Sequence, residues 1–399
     1  MIISDLDLIQ SFTAFCKNCG QCSLTCPTHF VGLFNPMGVL RDVQMAGPEA
    51  AISNQPLFAC LTCNRCMMYC PTSKENEGMN FAALIQRLRS YAYHNQIQPK
   101  DFGEFPGIGT ILIHPSDFTS KDLSIKEIPD VDVISMLDNS LKSKIATEGK
   151  IAYFIDDLPL YIQKYPQYKA DLIEIPRSVI HILNQVGIKP VVLNLKPLGH
   201  DDFWAGFTDQ FQMLAKANVA YYKAAGVKQI IVESAEAYRT WKYDYPTVVS
   251  DCDFEVYHLS EYLEKFHLSP KLVFDANISI SVTFLDAARL GRMGGRIYEP
   301  PRKILKKAKG IKLKDLEFNR GDAYDCSLTI HFPENEETQR MRSQLLDEIR
   351  EASVEYVVST SPKQIIHYLY AVNNLGSEGN SMPIIHDWAV MLFRLLRIH

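Results

Sequence analysis

The chain has 399 residues, 47% of them hydrophobic and 22% charged, which is enough for two or three ordinary globular cores. A formal net charge of −5 excludes the strongly basic surface that bulk binding to nucleic acid or to an anionic membrane requires. The opening residues Met1-Ile2-Ile3-Ser4-Asp5 lack a basic stretch before a long apolar one, and no run approaches the roughly 18 apolar residues of a membrane span. A cytoplasmic protein with no transmembrane segment is therefore expected.

The first element is a helix from Leu6 to Phe15 that runs into Cys16. Two copies of one pattern follow: Cys16-x2-Cys19-x2-Cys22-x3-Cys26-Pro27 and Cys60-x2-Cys63-x2-Cys66-x3-Cys70-Pro71. They use eight of the ten cysteines in the chain. This spacing is that of cubane [4Fe–4S] binding, in which soft thiolates hold a soft iron–sulfur core. Disulfides would need an oxidising compartment, and zinc sites usually pair C-x2-C knuckles instead of placing three cysteines in a row. Two [4Fe–4S] clusters are the reading. In two-cluster ferredoxin-type domains the fourth cysteine ligates the other cluster. One cluster is accordingly assigned to Cys16, Cys19, Cys22 and Cys70, the other to Cys60, Cys63, Cys66 and Cys26. Gly20 is expected to let the backbone approach a cluster closely. Met37 to Gly47 reads as a short helix ended by glycine, and Met79 to Tyr93 as a longer one with Phe81, Leu84, Ile85 and Leu88 on one face.

Proline, glycine and charge dominate 96–148, which reads as a linker draped over the surface. Strands then alternate with helices, and the order repeats. Ile151–Ile155 before Asp156-Asp157 parallels Ile280–Leu285 before Asp286. Pro176-Arg177 and Pro301-Arg302 each open a helix that stops at Gly-Ile-Lys. Ala225–Ser234 parallels Ala352–Ser361. The expected fold is α+β: a helical two-cluster ferredoxin-type domain over 1–95, the linker, and a duplicated α/β domain over 149–270 and 271–380. Met382 to His399 reads as an appended apolar helix, with a face for its own domain, a partner subunit or a membrane surface.

At this point the chain resembles a known family. The cysteine runs, Asn35-Pro36 and Thr62-Cys63-Asn64-Arg65-Cys66 are similar to the C subunit of heterodisulfide reductase. The remainder resembles the cysteine-rich (CCG) domain of the B subunit, on segments such as Gly226–Val232, Tyr238–Pro246, His258–Glu261 and Ile297–Arg302. The same fused layout occurs in iron–sulfur subunits of glycolate oxidase and anaerobic glycerol-3-phosphate dehydrogenase. The resemblance implies a CCG-like duplicated domain whose intact members hold a further, noncubane centre on several cysteines. This chain departs from that pattern. The cysteine positions carry Asp156, Asp286, Lys196–Gly199, Ser234–Ala237 and Ser361–Gln364, and only Cys252 and Cys326 remain.

Among other candidates, Asp156, Asp157, His200, Asp201 and Asp202 fall on loops where α/β domains bind ligands, and Gly291–Arg296 is a glycine-rich basic stretch. Solvated carboxylates and packing glycines are the plainer reading of both. The implied function is a non-catalytic electron-transfer subunit of an oxidoreductase complex. It would relay electrons through its two [4Fe–4S] clusters between a flavin- or cluster-bearing partner and another redox module. The alternative is a catalytic disulfide-reducing or hydroxyacid-oxidising subunit.

Overall fold

Ser4 caps the first helix: its hydroxyl accepts the N–H of Asp7, and Asp5–Ala14 follows. The computed structural model describes residues 4–73, 79–101, 128–266, 268–275, 278–324 and 335–396. Two compact units divide the chain. The first comprises Met1–Leu123, Gly199–Phe211 and Tyr324–Leu346; the second comprises Ser124–Leu198, Gln212–Ala323 and Asp347–His399. One segment of each repeat therefore belongs to the first unit, an arrangement that contiguous domain boundaries did not anticipate. Among the described residues, no helix is long and apolar enough to cross a membrane.

The first unit is helical among its described residues. Pro36–Ala46 begins on proline, whose missing N–H costs nothing at a helix start, and ends at Gly47 with φ 87°. Asn80 caps Phe81–His94 by accepting from Ala83 N. Phe81, Leu84, Ile85, Leu88 and Ala92 line one face of that helix and are buried. They pack with Leu57, Phe58, Val39 and Ile52, and four of the motif cysteines (Cys22, Cys26, Cys60 and Cys66) belong to the same core.

The second unit holds two parallel sheets. Strands β1 (Ile151–Tyr153), β2 (Gln229–Val232) and β3 (Glu255–His258) lie in the order β1-β2-β3. Strands β4 (Ile280–Leu285), β5 (Ile311–Leu313), β6 (Tyr356–Ser359) and β7 (Ile384–Asp387) lie in the order β5-β4-β6-β7. Val191 bridges the free edge of β1, exchanging hydrogen bonds with Ile151 and Tyr153, just as β5 flanks β4. The sheets are thus two copies of one four-position order. Ile230, Ile231, Val357 and Val358 are completely buried, as continuous apolar runs are in parallel sheets covered on both faces.

This duplication corrects the reading of the C-terminus. Ile384–Asp387 is strand β7, and only Trp388–Leu395 is helical. The pair is the counterpart of β3 and its helix Leu259–Lys265. Four residues fit either period, and pairing with β6 decides for strand. The helix is not a free docking face. Trp388, Met391, Leu392 and Leu395 are at most 1% exposed, and Trp388 Nε1 donates to Pro301 O. Likewise, the described end of the supposed linker is built in: Val131 N donates to Leu195 O and Ala146 N to Pro190 O. In the first repeat, Pro176 lies inside the helix Lys169–Gln185 and does not open it. Arg177, the partner of Arg302 in the repeat, stays on the surface with Glu174 and Asp138.

Candidate metal centre

Both cysteine runs wind identically. Asn18 (φ 53°) and Gly20 (φ 80°) are left-handed on either side of Cys19, and Thr62 (φ 46°) and Asn64 (φ 61°) repeat this around Cys63. Alternating right- and left-handed residues turn successive N–H groups toward a common centre, the arrangement that receives anions. Asn18 N donates to Cys16 Sγ and Thr62 N to Cys60 Sγ, both at 3.4 Å. A β-branched residue rarely adopts the conformation of Thr62, so the motif imposes it. Short helices Gln21–Leu24 and Arg65–Met68 then carry the third cysteine of each run. Each fourth cysteine starts a Cys-Pro-Thr triplet whose hydroxyl is hydrogen-bonded to the thiol: Thr28 to Cys26 at 3.1 Å, Thr72 to Cys70 at 3.3 Å. The threonines were missed in the sequence, although their repetition two residues after the last cysteine was a legible signal.

The eight cysteines line two cavities. An outer one, with an empty volume of about 360 Å³, is lined by Cys16, Cys19, Cys22 and Cys70. An inner one of about 330 Å³ is lined by Cys26, Cys60, Cys63 and Cys66. Each thus takes three thiols from one run and the fourth from the other. Cys19 is exposed and Cys16 and Cys70 are half-buried, whereas all four inner cysteines are buried. Met37, Leu40, Met67 and Met79 complete the outer wall; Phe34, Phe81, Leu61 and Pro36 complete the inner one.

Among the described residues, no three or more His, Cys, Asp or Glu side chains stand close enough to hold a single ion. The thiols surround a volume, and four soft donors around an apolar hollow fit a multi-atom iron–sulfur core. Burial pushes the metal-free thiols up: Cys22 and Cys26 to about 11, Cys60 to about 12, and Cys66 well above its ordinary value. Metal uptake must therefore release protons.

The buried charges near the runs were also invisible in the sequence. Arg65 donates to Thr25 O at 2.6 Å and lies over the Tyr324 ring. Arg89, 1% exposed, donates to the carbonyls of Trp204, Leu57 and Cys60.

In the second unit, three of the stretches that depart from the cysteine-bearing pattern come together: Asp156, Ser234–Ala237 and Ser361–Gln364. Ser361 Oγ donates to Glu236, whose other oxygen accepts from Ser234 Oγ. Asp156 lies near Glu236 and Lys363. Glu233, Asp387 and Tyr153 extend this group at the ends of β2, β7 and β1. Among the described residues, neither Glu233 oxygen, nor Asp156 Oδ2, nor Asp387 Oδ2 has a hydrogen-bond partner. Desolvation raises Asp156 to about 6, Asp387 to about 7 and Glu233 well above its usual range. His258 opposes them: burial lowers it to about 4, and its ring joins Glu233 O and Ser260.

This gives a signed expectation. Unfolded, Asp387 titrates near 3.8 and, folded, at about 7. Between those values only the folded chain holds the proton, so this contribution to stability falls as pH rises through the window. Asp387→Asn keeps an acceptor for Ala389 N and removes the charge. Relative to its parent, the variant should gain ~2 kcal/mol in urea unfolding between pH 5 and pH 8. The comparison cancels the opposite slope of His258; equal stability differences at both pH values would refute it.

Two of the remaining candidates, Asp157 and the glycine-rich stretch, are structural. Asp157 accepts Leu198 N in the second unit, while His200–Ala205 is a helix of the first. Gly291 and Gly294 have no room for a Cβ against Tyr298 and Arg289, so the glycine-rich stretch is packing. Cys252 is half-buried with its thiol pushed up to about 11, and Cys326 lies outside the described residues.

Residues 15–73 match the 4Fe-4S dicluster domain family. A dihydromethanophenazine:CoB--CoM heterodisulfide reductase subunit of Methanosarcina acetivorans is 26% identical, over 76% of this chain and 74% of its own. The "Probable iron-sulfur-binding oxidoreductase FadF" of Bacillus subtilis is 25% identical over 69% of this chain, which spans only 37% of that protein. The EtfAB:quinone oxidoreductase of Syntrophomonas wolfei is 29% identical over 33% of this chain and 18% of its own length. The chain carries a 4Fe-4S dicluster domain over residues 15–73 and, along most of its length, resembles the iron–sulfur subunits of heterodisulfide-reductase-type oxidoreductases.

Proposed function

We propose that this chain is the electron-transfer subunit of a multi-subunit oxidoreductase. The supporting observation is the pair of cavities, each lined by four cysteines and each borrowing one from the other run. Cys16, Cys19, Cys22 and Cys70 hold one [4Fe–4S] cluster, and Cys60, Cys63, Cys66 and Cys26 the other. A bound cluster supplies a one-electron couple at each place. Borrowing ties the two runs into one core and keeps the sites adjacent, since the helices bearing Cys22 and Cys66 pack on each other. The exposed Cys19 edge makes the outer cavity the place where a redox partner comes near, and the buried thiols of the inner one exclude water. Relatives named as a heterodisulfide reductase subunit and an EtfAB:quinone oxidoreductase support redox partners in general, and in this reading those partners carry flavin or further iron–sulfur centres.

The duplicated domain acts as a scaffold without a catalytic cluster. Among its cysteine positions, Asp156, Asp286, Ser234 and Ser361 carry hard oxygens that do not suit iron–sulfur cores. The protein purified without oxygen should carry about eight irons, all in cubane clusters reducible in one-electron steps. Appreciably more iron, or reduction of a disulfide by the isolated chain, would favour the catalytic alternative instead.

A further inference from the structure

The two cavities are electrically unequal. Lys17, the one charged residue among the described lining of the outer cavity, is exposed, so water screens it. Beside Cys60 two opposite charges sit in the buried core, both hydrogen-bonded to the turn Leu57–Ala59 that leads into it. Arg89 grips the carbonyl side of that turn, donating to Leu57 O at 2.7 Å and to Cys60 O at 3.0 Å. Its third anchor is Trp204 O at 2.6 Å, and its guanidinium lies over the Phe58 ring. Asp101 grips the amide side, accepting Phe58 N at 2.8 Å and Ala59 N at 3.0 Å. Arg89 is 1% exposed and Asp101 6%. Each feels the other, and Arg89 feels the Cys60 thiol.

We propose that Arg89 and Asp101 form a buried charge pair that sets the reduction potential of the inner site, Arg89 raising it and Asp101 restraining it. The proposal rests on the electron-carrier reading above. Reduction adds one negative charge among Cys26, Cys60, Cys63 and Cys66. A fixed cation beside Cys60 favours that added charge, and a fixed anion on the same turn opposes it, through a medium that screens poorly. Arg65 cannot make the same distinction, because it joins the two runs by binding Thr25 O from beside Cys66. Arg89 bears on one run only. It touches no reacting atom and is a positioning residue, anchoring the turn and its charge together.

The test is a redox titration of the reconstituted full-length protein, followed by electron paramagnetic resonance. The inner signal is identified as the one that survives Cys70→Ser. Arg89→Gln should move that signal to more negative potential, and Asp101→Asn should move it to more positive potential. Arg89→Lys should return most of the first shift, and the outer signal should stay in place throughout. A merely structural role would not produce shifts of opposite sign. Should Arg89→Gln fail to fold, Asp101→Asn alone still decides, because it leaves all three Arg89 anchors intact. Two signals with the inner one unmoved, or moved in the same direction by both substitutions, overturn the proposal alone. A parent protein without two one-electron signals overturns it together with the electron-carrier reading.

Discussion

Cys70→Ser should abolish the iron–sulfur signal of the Cys16, Cys19 and Cys22 run and spare the other, and Cys26→Ser should do the reverse. Iron should fall from about eight to about four per chain in each variant. The expectation follows from the cavities: Cys70 stands with the three thiols of the opposite run, and so does Cys26. A hydroxyl is a poor ligand for this core, yet it fits both positions. Thr72 already bonds the group at 70, and Thr28 the group at 26, so the serine is not left unpaired. Fold loss is therefore not the expected result, and far-ultraviolet circular dichroism should remain that of the parent. If Cys70→Ser instead removes the signal of the Cys60, Cys63 and Cys66 run, each run holds its own cluster and the crossed assignment is wrong.

The largest loss of stability is expected from Arg302→Met. Arg302 is fully buried and clasps Asp286 with two bonds of 2.7 and 2.6 Å, adding Asp315 at 2.9 Å. Asp286 is only 5% exposed, and its other donor is Arg320 N at 2.7 Å. Removing the guanidinium leaves a buried carboxylate short of compensation, which costs ~3–5 kcal/mol. Chemical denaturation at pH 8 checks this; a variant as stable as the parent would falsify the account. The double variant Arg302→Met/Asp286→Leu should recover much of the loss, as buried ion pairs often exchange for apolar contacts at little cost.

The legible part of this protein is the part written in local spacing. Three cysteines at intervals of three and a following Cys-Pro are a short-range pattern, and the backbone that realises it is equally local: Asn18, Gly20, Thr62 and Asn64 supply the left-handed turns. The parallel strands were legible for a similar reason, because runs such as Ile230–Val232 and Tyr356–Val358 are apolar throughout. Residues 384–387 read as helix because four residues do not distinguish a strand from the start of a helix. Pro-Arg reads as one device in both repeats. Yet Arg302 is buried on Asp286 while Arg177 is half-buried beside Glu174 and Asp138, since what stands opposite an arginine is set by distant chain.

The sequence by itself determined the two four-cysteine runs, their reading as crossed ligand sets and the loss of most thiols from the positions where the resembled family carries cysteines, with only Cys252 and Cys326 remaining. Only the tertiary structure decided how those pieces combine. It left Cys19 exposed in one cavity and buried all four thiols of the other, and it held Arg89 and Asp101 against the turn before Cys60. It also gathered Asp156, Glu233 and Asp387 from separate strands into one buried group. Ligand identity is a property of residue type and spacing. Burial and the nearness of charges depend on which remote segments pack together, and no local pattern encodes that.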